Sequence, residues 1–323
     1  MLLAIAAIIA GLALLVWSAD KFVDGSVGLA ESFGMSKVMI GLTIVSLGTS
    51  APEIFVSITA ALAGASELAL GNAVGSNIAN IGLVLGVTAL VAALPVKKGL
   101  LKQDLPALLA VTAICCFLLM DLVLNQADGL ALLVLLLILM SLMFRYKKEH
   151  PEELIETGES LDDVIPDYNT KESITSFVIG LVLLIVSSRM LVWGAVDIAT
   201  TLGVSEVVIG LTIVAIGTSL PELAASVTSA LRNHHDIALG NVIGSNILNL
   251  LAVLSVAAVI NPITLTREIF LFDYGAMVLF TVLVAVFVLI PKKVKQISKI
   301  EGVLLLLGYM AYMYTLYLRT AGI

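Results

Sequence analysis

Charge is scarce in this chain. Only 13% of its 323 residues are Asp, Glu, Lys or Arg, while 60% are hydrophobic, and mean hydropathy is +1.10. A soluble domain carries about 25% charged residues, so a water-soluble fold is excluded. Cysteine is nearly absent. Cys115 and Cys116 are the only two, adjacent within an apolar run. Neighbours on a helix point in different directions, and no zinc spacing exists, so they are packing residues. Histidine occurs three times, at positions 150, 234 and 235, and never inside an apolar run. An intramembrane enzyme that needs a nucleophile–base pair or a His/Asp metal cluster has nothing to build it from. His234 and His235 fall in a short connection and are expected to be solvated.

What is plentiful is apolar length. Runs of about 20 residues are long enough to cross a bilayer as helices, and the breaks between them predict ten spans. These cover 1–30, 37–65, 69–93, 104–122, 128–145, 173–200, 206–231, 237–260, 269–290 and 299–318. The first run has no Lys or Arg ahead of it, so it reads as a retained span and not a signal peptide. One long polar segment, "EHPEELIETGESLDDVIPDYNTKE" from Glu149 to Glu172, holds nine acidic residues. It lacks the alternating Asp/Asn and Gly of an EF-hand and is expected to be a solvated linker. The organisation is therefore 1–146, a first five-helix repeat; 147–172, an acidic cytoplasmic linker; and 173–323, a second five-helix repeat.

Orientation follows from the basic residues. The odd-numbered connections, which include the linker, hold 13 Lys and Arg, and the opposite side holds only Arg267 and Arg319. This predicts a cytoplasmic linker and both termini outside. Asp20, Lys21 and Asp24, near the end of the first span, are expected at the interface, as are Arg189 and Asp197.

Positions n and n + 169 match without a gap from Gly41 to Val91, with 27 of 51 pairs identical, and Asp104 and Asp273 keep the same offset. Two copies of one structural unit are implied. Five spans per copy is an odd number, so the second copy enters the membrane from the opposite side. The expected fold class is all-α: a polytopic membrane protein of ten transmembrane helices in two inverted repeats, the layout of secondary transporters.

The strongest identities carry polar groups into hydrocarbon. "GTSAPE" at 48–53 recurs as "GTSLPE" at 217–222, and "GNAVGSN" at 71–77 recurs as "GNVIGSN" at 240–246. A charged side chain mid-span costs about 3 kcal/mol on insertion scales, so Glu53 and Glu222 must meet a cation, a partner or water. Proline blocks the helical bond of the carbonyl four residues earlier. Oxygens from about Ser46 to Gly48 and from Ala215 to Gly217 are therefore expected to need a new partner. Thr49 and Ser50 share the face of Glu53, as Thr218 and Ser219 share that of Glu222. Asn72, Ser76 and Asn80 form one stripe, copied by Asn241, Ser245 and Asn249, while Gly71/Gly75 and Gly240/Gly244 permit close helix approach. Hydroxyls, carbonyls and carboxylates are hard ligands suited to Na⁺ or Ca²⁺ and not to zinc or copper.

This doubled pair of motifs resembles the sodium/calcium exchanger family of cation/Ca²⁺ antiporters, in its prokaryotic branch, over nearly the whole chain. The resemblance implies a central cluster of Na⁺ and Ca²⁺ sites and sliding of the first and sixth helices against the rest. By motif position it implies Thr49, Ser50, Glu53, Ser76, Thr218, Ser219, Glu222 and Ser245 as ligands, joined by the carbonyls of Ser46 and Ala215. Asn80 and Asn249 occupy the middle position. Related members often carry Asp there in the second repeat, whereas this chain has Asn in both. The expected function is a non-enzymatic antiporter exchanging Na⁺ for Ca²⁺ across the cytoplasmic (inner) membrane, extruding Ca²⁺ by alternating access and using no prosthetic group. A Ca²⁺/H⁺ or K⁺-dependent exchanger is the alternative, and a cation channel is the reading from another class. The expected partners are the two ions and the bilayer.

Overall fold

In hydrocarbon every backbone N–H and C=O must be paired within the segment, so the apolar runs wind as helices. The computed structural model describes residues 1–35, 37–149, 169–203, 215–290 and 295–321. The first repeat contains α1 (Leu2–Ser32), α2a (Lys37–Thr49), α2b (Ala51–Leu62), α3 (Ser66–Val91), α4 (Leu100–Leu118) and α5 (Gln126–Glu149). The second contains α6 (Thr170–Thr201), α7a (Ala215–Thr218), α7b (Leu220–Leu231), α8 (His235–Ile260), α9 (Ile269–Leu289) and α10 (Lys299–Ala321). Among the described residues, eight helices can each cross a membrane by length and composition, and the bent α2a–α2b pair makes a ninth. The start of the seventh predicted span, 206–214, lies outside the described residues. So do most of the acidic linker, 150–168, and Lys292 and Lys293.

The second predicted span is not one rod. It bends by 44° between α2a and α2b, and Ser50, at the break, leaves helical geometry at φ −84°, ψ 3°. Ser219 does the same at φ −90°, ψ 5°. Pro52 and Pro221 sit in the first turns of α2b and α7b, where the lost N–H had no helical partner anyway. The prolines start new helices; they do not merely interrupt old ones.

Repeat symmetry extends to local detail. α3 widens into a π-turn at Asn80–Leu85, and α8 widens at Asn249–Val253. α4 and α9 open with π-turns at Leu100–Asp104 and Ile269–Tyr274. The turn after α2b uses Gly64 at φ +77°, and its mate after α7b uses Asn233 at φ +60°. Asn is the side chain that best tolerates that left-handed conformation. Two short ribbons tie the halves together: β1 (Leu94–Pro95) pairs antiparallel with β4 (Gln296–Ile297), and β2 (Val123–Leu124) with β3 (Ile263–Thr264).

α1 and α6 run antiparallel, as inverted mates must. Gly25 faces the backbone of Phe177 and Gly180 the backbone of Phe22; a Cβ at either would come within 2.4 Å of a backbone nitrogen. The Phe22 and Phe177 rings lie 4.9 Å apart at the crossing. Only 28% of the most apolar stretch of α1 and 22% of that of α6 is buried, against 72% for α3 and 83% for α8. The GNxxGSN helices therefore form the centre, and α1 and α6 lie at the margin. The chain is a polytopic all-α membrane protein of two inverted five-helix repeats. Asp20 and Asp24 of α1 ion-pair with Arg232 in the α7b–α8 turn. Asp197 faces the N-terminal amine at 3.6 Å. His235, expected in a connection, opens α8, because the helix begins two residues earlier than the apolar pattern.

Candidate cation site

The helix breaks aim the GTSxPE motifs at the opposite repeat. α2b packs on the π-turn of α8 and the segment beyond it, and α7b packs on the corresponding part of α3. Each motif helix is braced by its own repeat. Asn72 Nδ2 donates to the carbonyl of Glu53 and to Ser57 Oγ, both at 3.1 Å. Asn241 Nδ2 donates in the same way to the carbonyl of Glu222 at 3.4 Å and to Ser226 Oγ at 3.0 Å. The NH₂ of each amide holds a glutamate-bearing turn, and Asn241 Oδ1 is also taken, by Thr49 Oγ1.

Across the repeats, Thr49 Oγ1 donates to Asn241 Oδ1 at 3.1 Å and Ser50 Oγ to Glu222 Oε1 at 3.2 Å. The Glu53 carboxylate lies within electrostatic reach of Glu222. Both glutamates are 1% exposed. Asn80 Nδ2 donates to Asn246 Oδ1 at 3.1 Å, and Asn249 Nδ2 donates to Asn77 Oδ1 at 3.0 Å. Both bonds cross between repeats.

The structure thus brings Thr49, Ser50, Glu53, Asn80, Glu222 and Asn249 to the interface of the two repeats. Ser76, Ser219 and Ser245 are buried on the same elements. Thr218 is half-buried, lining a cavity of about 520 Å³ with Gly71, Ser76, Asp273 and Tyr312. Ser46 is buried, but its carbonyl accepts the Ser50 N–H at 2.9 Å. The break therefore does not strip that oxygen of its helical bond as the proline argument expected. In the second repeat Ser219 N–H turns to the carbonyl of Ile216 at 3.1 Å and not to Ala215. Gly240 and Gly244 press on the backbone of α2a, with Leu42 O 2.5 Å from a Cβ at Gly244. A Cβ at Gly71 or Gly75 would meet no atom within 4 Å among the described residues; Leu211, the mate of the Leu42 that Gly244 meets, lies outside them.

A group of buried oxygens has no hydrogen-bond donor among the described residues: both of Glu53, Glu222 Oε2, Asn80 Oδ1, Asn249 Oδ1, Ser219 Oγ and Ser245 Oγ. Buried polar atoms are nearly always paired, and an unpaired buried charge is expensive. Oxygens from both repeats, two of the side chains carboxylates, match a hard cation in chemistry and charge. Sequence reasoning missed Asn77 and Asn246. Their signal was available, since both repeat at the 169-residue offset inside the doubled GSN motif, but they lie off the four-residue stripe.

An inverted-repeat membrane protein with broken helices meeting at a buried oxygen cluster has the architecture of a secondary cation transporter. The family model for sodium/calcium exchanger protein matches residues 3–145 and 172–318. The chain belongs to the sodium/calcium exchanger family. CaxA of Alkalimonas amylolytica is 42% identical over 317 residues, covering 98% of this chain and 99% of that protein. The inner membrane protein YrbG of Escherichia coli is 38% identical, covering 98% of each. Among solved structures, the sodium-calcium exchanger NCX_Mj superposes with a TM-score of 0.83 at 32% identity, covering 98% of this chain and 99% of that one.

Proposed function

We propose that this chain is a secondary antiporter that exchanges Na⁺ for Ca²⁺ across the cytoplasmic membrane, extruding Ca²⁺ by letting Na⁺ run down its gradient. The observation that carries this reading is the cluster of donor-less buried oxygens around Glu53 and Glu222. Two carboxylates neutralise one Ca²⁺. The same oxygens can instead hold Na⁺, so the loads exclude one another, which is what exchange requires. The ligand set is Thr49, Ser50, Glu53, Ser76, Thr218, Ser219, Glu222 and Ser245, with the carbonyls of Ser46 and Ala215 and the amide oxygens of Asn80 and Asn249. Ser50 also holds Glu222 by its hydrogen bond, so the first repeat orients a carboxylate of the second. The bias of 13 basic residues against 2 supports a cytoplasmic linker and external termini.

Uptake of ⁴⁵Ca²⁺ into sealed vesicles under an imposed Na⁺ or H⁺ gradient tests the reading. Flux driven by Na⁺ and not by H⁺ is expected. Flux that follows only the H⁺ gradient would replace Na⁺ by protons as the counter-load, and flux that needs no counter-ion would indicate a channel.

A further inference from the structure

Asn77 and Asn246 are each 1% exposed, and they occupy equivalent positions in the two repeats. Asn77 Nδ2 donates to the backbone carbonyl of Asn246 at 3.2 Å, so these mates meet on the pseudo-two-fold axis. Among the described residues neither has an oxygen in the donor-less cluster. Each accepts instead from a side chain that does.

The direction of the Asn77 and Asn249 amides follows from one fixed point. A backbone carbonyl can only accept, and Asn77 Nδ2 faces that of Asn246, with Met277 Sδ, a second acceptor, 3.5 Å away. The NH₂ of Asn77 is therefore pinned on that side, which turns its Oδ1 the other way. That oxygen accepts Asn249 Nδ2 at 3.0 Å. With its NH₂ committed, Asn249 has only its oxygen to present on its remaining side, and Asn249 Oδ1 is one of the buried oxygens without a donor. In the opposite arm Asn80 Nδ2 donates to Asn246 Oδ1 at 3.1 Å and Asn80 Oδ1 is likewise buried without a donor, but Asn246 Nδ2 has no hydrogen-bond partner among the described residues, so that arm lacks the pin.

We propose that Asn77 is a positioning residue that locks the side-chain amide of Asn249 with its oxygen toward the transported cations. An amide has two unlike ends. Its oxygen attracts a cation and its NH₂ repels one, and the two ends differ little in size. Without a lock the side chain can rotate and exchange a ligand for a repulsive dipole. The lock therefore makes a neutral residue act as an obligate oxygen ligand, and it bears on Na⁺ and Ca²⁺ alike.

The inference rests on the cation-site reading above, and the experiment separates the two. In Na⁺-driven ⁴⁵Ca²⁺ flux, Asn77→Leu keeps the side-chain size and removes the lock. The KM for Ca²⁺ and for Na⁺ should rise up to about tenfold, the upper end of what one hydrogen bond between neutral groups is worth, with the maximal rate changed less. A carboxylate presents oxygen whichever way it turns. The double variant Asn77→Leu with Asn249→Asp should therefore regain most of the Ca²⁺ affinity. Loss of core packing alone would not be rescued by adding a buried charge. If Asn77→Leu does not accumulate in the membrane, Asn77→Ala with and without Asn249→Asp carries the same test. A wild type without Na⁺-driven flux would sink the transport reading itself. An active wild type with unchanged KM in the single variant, or a double variant no better than the single, would sink the lock.

Discussion

Replacing Gly244 by Ala tests whether close helix contact sets the site geometry. A Cβ at Gly244 would sit 2.5 Å from the carbonyl oxygen of Leu42, 2.5 Å from Ser46 Oγ and 2.8 Å from Leu42 Cα. Carbon and carbonyl oxygen approach no closer than about 3.3 Å, so α2a must retreat by about 0.8 Å. Ser46 cannot swing aside freely, because its hydroxyl donates to that same Leu42 carbonyl at 2.7 Å. Overpacking of this kind costs about 1–3 kcal/mol. The retreat also carries Thr49 and Ser50, one turn further along, away from Asn241 and Glu222. Gly244→Ala should therefore lower Tm by a few degrees in detergent and raise the KM for Ca²⁺. Thermal unfolding and Na⁺-driven flux measured on the variant decide the matter. A harmless Gly244→Ala would refute the argument.

Glu53→Ala and Glu222→Ala should each abolish Ca²⁺ transport while the protein still inserts, since each removes half the charge facing a divalent ion; wild-type uptake in either would move the site elsewhere. Asn249→Asp should keep exchange but make it weaker in acid. The new carboxylate joins two others that cannot all ionise cheaply, so protons compete with Ca²⁺ as pH falls, and superimposable profiles from pH 6 to 8 would show that position 249 does not face the ions. Asn241→Ala removes the bonds to the Glu222 carbonyl and Ser226 and should cost about 1–3 kcal/mol; an unchanged unfolding temperature would show that the brace is unnecessary. A reporter fused at residue 160 should be active only on the cytoplasmic side, and periplasmic activity would reverse the orientation.

Much of this molecule is written in its one-dimensional pattern. Apolar run length in a low-dielectric solvent leaves helices as the only way to pair the backbone, so the spans are legible apart from their ends. The 169-residue offset and the odd span count together require inversion, with no coordinates needed. Glu53 and Glu222 stand out because a carboxylate in hydrocarbon is too costly to keep without a cation or other partner. The tertiary structure decided which polar side chains remain free for that role. Asn241 lies on the same stripe as Asn249, but its NH₂ holds the Glu222 turn and its oxygen accepts from Thr49 Oγ1. Asn77 lies off the stripe and yet sets the orientation of Asn249. Sequence spacing ranks residues by helix face, whereas hydrogen-bond direction depends on which acceptors the opposite repeat brings within about 3 Å. Those acceptors come from residues some 170 positions away. For the same reason, the pattern marks Gly244 only as a small residue, and the fold alone shows it pressed against Leu42 and Ser46 of α2a.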